Sequence, residues 1–169
     1  MLAPVLIVMG VSGSGKSSVG KAIADEQKRV FIDGDDLHPQ ANINKMSKGI
    51  PLTDADRQGW LDTIVTGAKT MIRRGKAGVM TCSALKRQYR DRLRSGISSV
   101  KFLYLKASYE KVSQQSGARQ GHFMPVSLLR SQFDLLQEPD ETEEDVITVE
   151  VQESLEATIA IALKELVYK

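Results

Sequence analysis

Residues 10–17 read Gly10-Val11-Ser12-Gly13-Ser14-Gly15-Lys16-Ser17, directly after the apolar run Val5-Leu6-Ile7-Val8-Met9. A glycine-rich bend between an apolar strand and a helical pattern, closed by Lys-Ser, matches G-x-x-x-x-G-K-[ST] in full. The glycines let successive backbone amides turn toward one anion. The helix that follows presents its own N-terminal amides to the same phosphates. Lys16 supplies a point charge to the β- and γ-phosphates, and the Ser17 hydroxyl suits Mg²⁺. The nucleotide-binding set is therefore Gly10, Val11, Ser12, Gly13, Ser14, Gly15, Lys16, Ser17 and Ser18, with ATP and Mg²⁺ as the expected cofactors. The motif establishes phosphate binding and leaves open what is done with the phosphate.

On either side of this motif, short apolar runs alternate with longer helical patterns, the signature of an α/β fold around a parallel sheet. The predicted strands are 5–9, 30–32, 78–81, 101–105 and 146–150. The predicted helices are 15–26, 54–74, 86–94, 108–115, 125–137 and 154–167, with a short one starting at Pro39, since proline suits a first helical turn. Asp54 and Asp56 place carboxylates at a helix entry, where the dipole favours them. No repeat or linker breaks the chain, so residues 1–169 are expected to form one domain. The acidic stretch 138–145 reads as a solvated connector.

Composition narrows the classes. Lys and Arg number 23 against 21 Asp and Glu, a net charge of +2, without the strongly basic face of a nucleic-acid binder. The N-terminal apolar stretch is too short to span a bilayer and lacks a basic leader, so no membrane association and a cytoplasmic location are expected. A single cysteine, Cys82, allows no internal disulfide and fits a reducing compartment.

The second strand runs into Asp33-Gly34-Asp35-Asp36. Ligands of a doubly wound sheet bind beyond the carboxyl ends of its strands, which sets these carboxylates opposite the phosphate loop. In an extended segment Asp33 and Asp35 point to the same side. Asp33 would then hold a metal-bound water, and Asp35 would orient an acceptor hydroxyl and take its proton. The alternative is an Asp-rich turn with no chemistry. The strand before Lys86 ends in Thr81-Cys82-Ser83 without a carboxylate, which leaves the support of the metal to Asp33.

Several blocks then recur together. They are Asp33-Gly34-Asp35-Asp36-Leu37-His38-Pro39 with Asn42 and Lys45-Met46; Gly49-Ile50-Pro51-Leu52 with Asp54, Asp56-Arg57 and Trp60-Leu61; Cys82-Ser83-Ala84-Leu85-Lys86 with Tyr89-Arg90-Asp91; and Gly121-His122-Phe123 with Ser131-Gln132-Phe133. In this order, over residues 10 to about 139, the chain resembles the gluconokinase family. The resemblance implies transfer of phosphate from ATP to D-gluconate, giving 6-phospho-D-gluconate. It also implies a three-layer P-loop kinase fold like that of nucleoside monophosphate kinases, with a five-stranded parallel sheet, a mobile lid and often a homodimer. A kinase for another small hydroxy acid, such as shikimate, and a nucleotide-dependent switch are the rival readings.

Gluconate carries one carboxylate and many hydroxyls, so its site needs a cation and hydrogen-bonding groups. Arg57, Lys86 and Arg90 are the candidate cations, Arg being able to grip a carboxylate with two bonds; solvated surface side chains are the alternative. His38 would either bond the substrate or hold its turn, and His122 would meet substrate or phosphate. Trp60 and Phe123 read as packing residues. Arg119, between Gly117 and Gly121 in a lid at about 115–125, would bring a cation to the transferring phosphoryl group and complete a catalytic set with Lys16 and Asp35. Gln115-Ser116 stand where the family's pattern has an arginine followed by Leu or Met.

Overall fold

The computed structural model describes residues 3–118 and 126–167. Five strands, β1 (Val5–Met9), β2 (Phe31–Ile32), β3 (Val79–Thr81), β4 (Val100–Lys106) and β5 (Val146–Glu150), form one sheet in the order β2-β3-β1-β4-β5. Every adjacent pair is parallel. With all strands running the same way, their carboxyl ends share one edge, and chain segments that leave that edge converge above it.

β1 lies at the centre and is buried along its whole length. Its alternate side chains feed two separate cores, as strand geometry requires. Val5, Ile7 and Met9 pack with Trp60, Leu61 and Ile64 of α3 (Asp54–Arg73) and Tyr89 and Leu93 of α4 (Arg87–Gly96). Leu6 and Val8 pack on the other face with Val19 and Ile23 of α1 (Lys16–Glu26) and Ala162 of α7 (Leu155–Val167). The three expected layers and the five-stranded parallel sheet are therefore present. A third cluster of Val11, Leu85, Val112 and Leu129 joins the phosphate loop to α5 (Tyr109–Ala118) and α6 (Val126–Leu135).

Local differences from the sequence reading have local causes. Thr53 caps α3: its hydroxyl accepts from Asp56 N–H while the Asp56 carboxylate accepts from Thr53 N–H, a capping box that fixes the helix start. Pro39 stands just outside α2 (Gln40–Ser47) rather than within its first turn. Residues 34–37 are not extended but form a 3₁₀ turn, capped by the Asp33 carboxylate accepting from Asp35 N–H. The premise that Asp33 and Asp35 share one side of a strand is thereby replaced by a turn. Gly34 is required there by close approach, since a Cβ would sit 1.8 Å from the Thr81 carbonyl oxygen.

The stretch 138–145 is also more than a solvated connector. Glu143 is 5% exposed, and its carboxylate accepts from Arg90 Nε at 2.7 Å, from Arg90 Nη2 at 2.8 Å and from Arg94 Nη2 at 2.8 Å. Burial alone would raise its pKa, but the two guanidinium groups outweigh it and pull the carboxyl down to about 2. No helix among the described residues is long and apolar enough to cross a membrane.

Candidate active site

The phosphate loop turns between β1 and α1 through backbone angles that L side chains avoid: φ is +83° at Gly13 and +98° at Gly15. Lys16, largely buried, donates from Nζ to the Val11 carbonyl at 3.0 Å, so its charge lies within the loop. Across from it, Ser17 Oγ donates to Asp33 Oδ2 at 2.7 Å. Thr81 Oγ1 donates to Asp33 Oδ1 at 2.8 Å and accepts from Gly34 N–H at 3.0 Å. Partial burial would raise the Asp33 pKa, but the bonds from Ser17, Thr81 and the Asp35 amide outweigh that and hold it below the ordinary carboxylate range. A hydroxyl and an ionised carboxylate in contact beside the loop are hard oxygen donors of the kind Mg²⁺ takes.

Beyond the loop opens a cleft of about 280 Å³, walled by Ser12 and Lys16 on one side and by Ile43, Met46 and Ser47 of α2 on the other. Asp35, His38, Ser83, Leu128 and Gln132 complete its lining. Gln132 reaches from α6 to accept the Ser12 amide hydrogen at 2.6 Å. A larger hollow of about 620 Å³ lies against Gln27, Arg29, Val30 and Lys76, next to the residues that enter β2 and β3. It therefore sits at the amino-end edge of the sheet, away from the phosphate loop. The Arg29 guanidinium there is taken up by the carbonyls of Ala77 and Gly78.

His38 lies in the cleft wall with its ring stacked on Trp60, centroids 4.1 Å apart and planes within 15°. Trp60 is 1% exposed and donates from Nε1 to the Gly34 carbonyl at 2.7 Å. It is a packing residue, as expected, and it also forms the floor beneath His38. Burial lowers the His38 pKa to about 4, with Asp35 opposing and Arg57 reinforcing the shift. The ring is neutral at pH 7.

The three candidate cations separate clearly. Lys86 Nζ pairs with Asp54 Oδ1 at 2.9 Å, and the Tyr89 hydroxyl donates to the same oxygen. Arg90 is 1% exposed. Its five N–H donors meet five acceptor contacts: two on Glu143 and one each on the carbonyls of Ala84, Leu85 and Gln137. That corrects the expectation of a substrate contact, because nothing of the Arg90 guanidinium is left over. Instead it braces the turn at Ala84, whose φ of +46° is costly for a residue with a Cβ. Arg57 is different. It is 6% exposed and stands 5.4 Å from the centroid of the Tyr89 ring, and its Nε has no hydrogen-bond partner among the described residues. A buried cation with an unmet donor is an anion site in waiting.

A family model described as an AAA domain matches residues 5–139. The thermosensitive gluconokinase of Escherichia coli (strain K12) is 44% identical over 92% of this chain and 83% of its own. The crystal structure of a gluconokinase from Sinorhizobium meliloti 1021 superposes with a TM-score of 0.88 at 44% identity, covering 99% of this chain and 93% of that one. A sugar kinase from Janibacter sp. HTCC2649 gives a TM-score of 0.90 at 41% identity, over 97% and 94% of the two chains.

The chain belongs to the gluconokinase family.

Of the residues expected for a gluconokinase site, Lys16, Ser17, Asp33, Asp35 and His38 converge on one edge of the sheet, and Arg57 is near enough to act on the charge of His38. Arg119 and His122 fall outside the described residues, as do the side chains of Gln115 and Ser116. Sequence reading missed the cleft roles of Ile43, Met46, Ser47, Ser83 and Gln132. A signal existed for three of them: Met46, Ser83 and Gln132 stand inside the blocks that carry the family resemblance.

Proposed function

We propose that this chain transfers the γ-phosphoryl group of ATP to the terminal hydroxyl of D-gluconate, forming 6-phospho-D-gluconate and ADP. The observation that carries the substrate is Arg57: a buried cation whose Nε has no partner among the described residues, and whose charge acts on His38 of the cleft wall. Among the described residues Lys86 and Arg90 each pair with a carboxylate and Arg57 pairs with none, which leaves Arg57 to meet the gluconate carboxylate.

In this reading the amides from Gly13 to Ser18 and the Lys16 ammonium hold the phosphates. Ser17 and Asp33 would hold Mg²⁺, which when bound would neutralise charge on the β- and γ-phosphates. Asp35 orients the acceptor hydroxyl and takes its proton as oxygen bonds to phosphorus and the bond to ADP breaks. His38 contacts the acceptor, Arg119 serves the transferring group, and His122 meets substrate or phosphate. A cytoplasmic location fits an ATP-dependent enzyme with a single cysteine. The homodimer of the resemblance is checked by light scattering.

The experiment is ADP release measured with and without gluconate, then with other aldonates and with shikimate. Strong stimulation by gluconate alone is expected. Release at one rate whether or not gluconate is present would sink the kinase reading, and preference for shikimate would redirect the substrate.

A further inference from the structure

His38 has a proton on one of two ring nitrogens, and its neighbours decide which. Asn42, on the first turn of α2, is 2% exposed. Its Nδ2 lies 3.0 Å from the Asp56 carbonyl oxygen and 3.2 Å from His38 Nδ1. A carbonyl oxygen only accepts, so the Asn42 atom that meets it is the amide nitrogen and not the amide oxygen. The same nitrogen meets His38 Nδ1, which must therefore accept through its lone pair. In a neutral imidazole the proton then resides on Nε2. The face stacked on Trp60 keeps the ring from swinging away.

We propose that Asn42 is a positioning residue that fixes His38 as an Nε2–H donor to an oxygen of the acceptor substrate. The proposal rests on the function argued above and adds to it a division of labour. A ring whose Nδ1 is engaged by Asn42 and whose Nε2 already carries a proton has no free lone pair for a hydroxyl proton. Asp35 is left as the base, and His38 becomes a reader of oxygen acceptors: hydroxyl or carboxylate oxygens fit it, N–H and C–H groups do not. The charged groups that act on the ring are Asp35 from the turn before it and Arg57 from α3, with Lys16 across the same cleft. Burial with Arg57 outweighs Asp35, which keeps the ring neutral and the donor in place through the physiological range.

The direct test is nitrogen NMR of the two imidazoles in the ligand-free protein, with a His122→Gln variant to assign them. His38 is expected in the Nε2–H form, unchanged from pH 8 down to about 5. In Asn42→Asp a carboxylate faces Nδ1 and demands a proton there, so the ring should become Nδ1-protonated or fully charged. Loss of one neutral hydrogen bond should raise the gluconate KM about 3- to 10-fold, with the ATP KM unchanged. His38→Gln, which can offer an amide N–H toward the same point, should keep more gluconate affinity than His38→Leu. A wild-type Nδ1–H ring, a ring titrating near its ordinary pKa of 6.5, or an Asn42→Asp spectrum like that of the wild type would overturn the proposal. Should Asn42→Asp fail to fold, the wild-type spectrum still decides. The spectrum needs no gluconate, so the two failures separate. An inactive wild type with Nε2–H overturns the substrate and upholds the role of Asn42, whereas an active one with Nδ1–H overturns the role of Asn42 alone.

Discussion

Replacing Glu143 by alanine should unfold this protein more readily while leaving its affinity for gluconate alone. Glu143 receives two bonds from Arg90, at 2.7 and 2.8 Å, with both side chains 1% exposed. The variant leaves the Arg90 guanidinium buried with only backbone carbonyls for company. Removing one partner of such a pair costs about 3–5 kcal/mol, which for a chain of this size lowers Tm by roughly 6–20 °C. Arg90→Met should cost less, because Glu143 keeps Arg94 Nη2 at 2.8 Å. The double variant Arg90→Met with Glu143→Leu should recover part of the loss, since no uncompensated charge remains buried. Thermal unfolding followed by circular dichroism gives the stabilities, and a coupled ADP assay well below each transition gives the KM. The pH dependence has a definite sign. Glu143 has a folded-state pKa lowered from 4.5 to about 2, so its contribution is complete above about 4.5 and is lost as pH falls toward 2. Glu143→Ala should erase that part of the acid sensitivity. If Arg90→Met instead melted like the wild type and raised the gluconate KM tenfold while sparing a neutral polyol, the assignment of Arg90 as a brace would be wrong.

Further expectations follow from the site. Lys16→Ala should nearly abolish turnover in a folded protein, and a near-normal kcat with Mg²⁺ present would contradict the phosphate scheme. Asp35→Asn should lower kcat by ~10²–10⁴-fold with ATP affinity kept; loss of ATP binding with kcat intact would make Asp35 a metal or structural residue. Arg57→Leu should weaken gluconate far more than a neutral polyol of similar length, and equal weakening of both would remove Arg57 from the carboxylate. Thr81→Val should raise the Mg²⁺ concentration needed for half-maximal rate, since Asp33 loses the hydroxyl that holds Oδ1. An unchanged Mg²⁺ titration would leave Thr81 as scaffold only.

The phosphate loop and the sheet were legible in the sequence because they are local: four constrained positions between a strand and a helix, and apolar runs too short to be helices. The fate of Arg90 was not legible. Its partner stands 53 residues away, in a stretch whose composition alone reads as solvated acid, and nothing in helical spacing separates a surface arginine from a buried one. The turn at residues 34–37 stood only as the alternative to an extended segment, for a similar reason. Alternation describes strands, but here the Asp33 side chain captures the Asp35 amide and the Thr81 hydroxyl captures the Gly34 amide, and side-chain capture of backbone groups overrides the strand period. The cleft wall supplied by α2 depends on how that helix lies against α3, set by the Asn42 bond to Asp56 and the ion pair of Lys45 with Asp56 at 2.8 Å. No short window of sequence contains both ends of those contacts.

The chain contains one tryptophan, and it is the indole beneath His38. That makes the molecule its own optical probe. Emission from Trp60 arises from a single place, sealed from solvent, in face contact with an imidazole that lines the acceptor cleft and bonded to the backbone of the turn that carries Asp35. Quenching or a spectral shift on adding a sugar acid reports on that half of the site, where a protein with scattered tryptophans would blur it with signals from elsewhere. Acceptor binding can thus be followed in solution without attaching a dye.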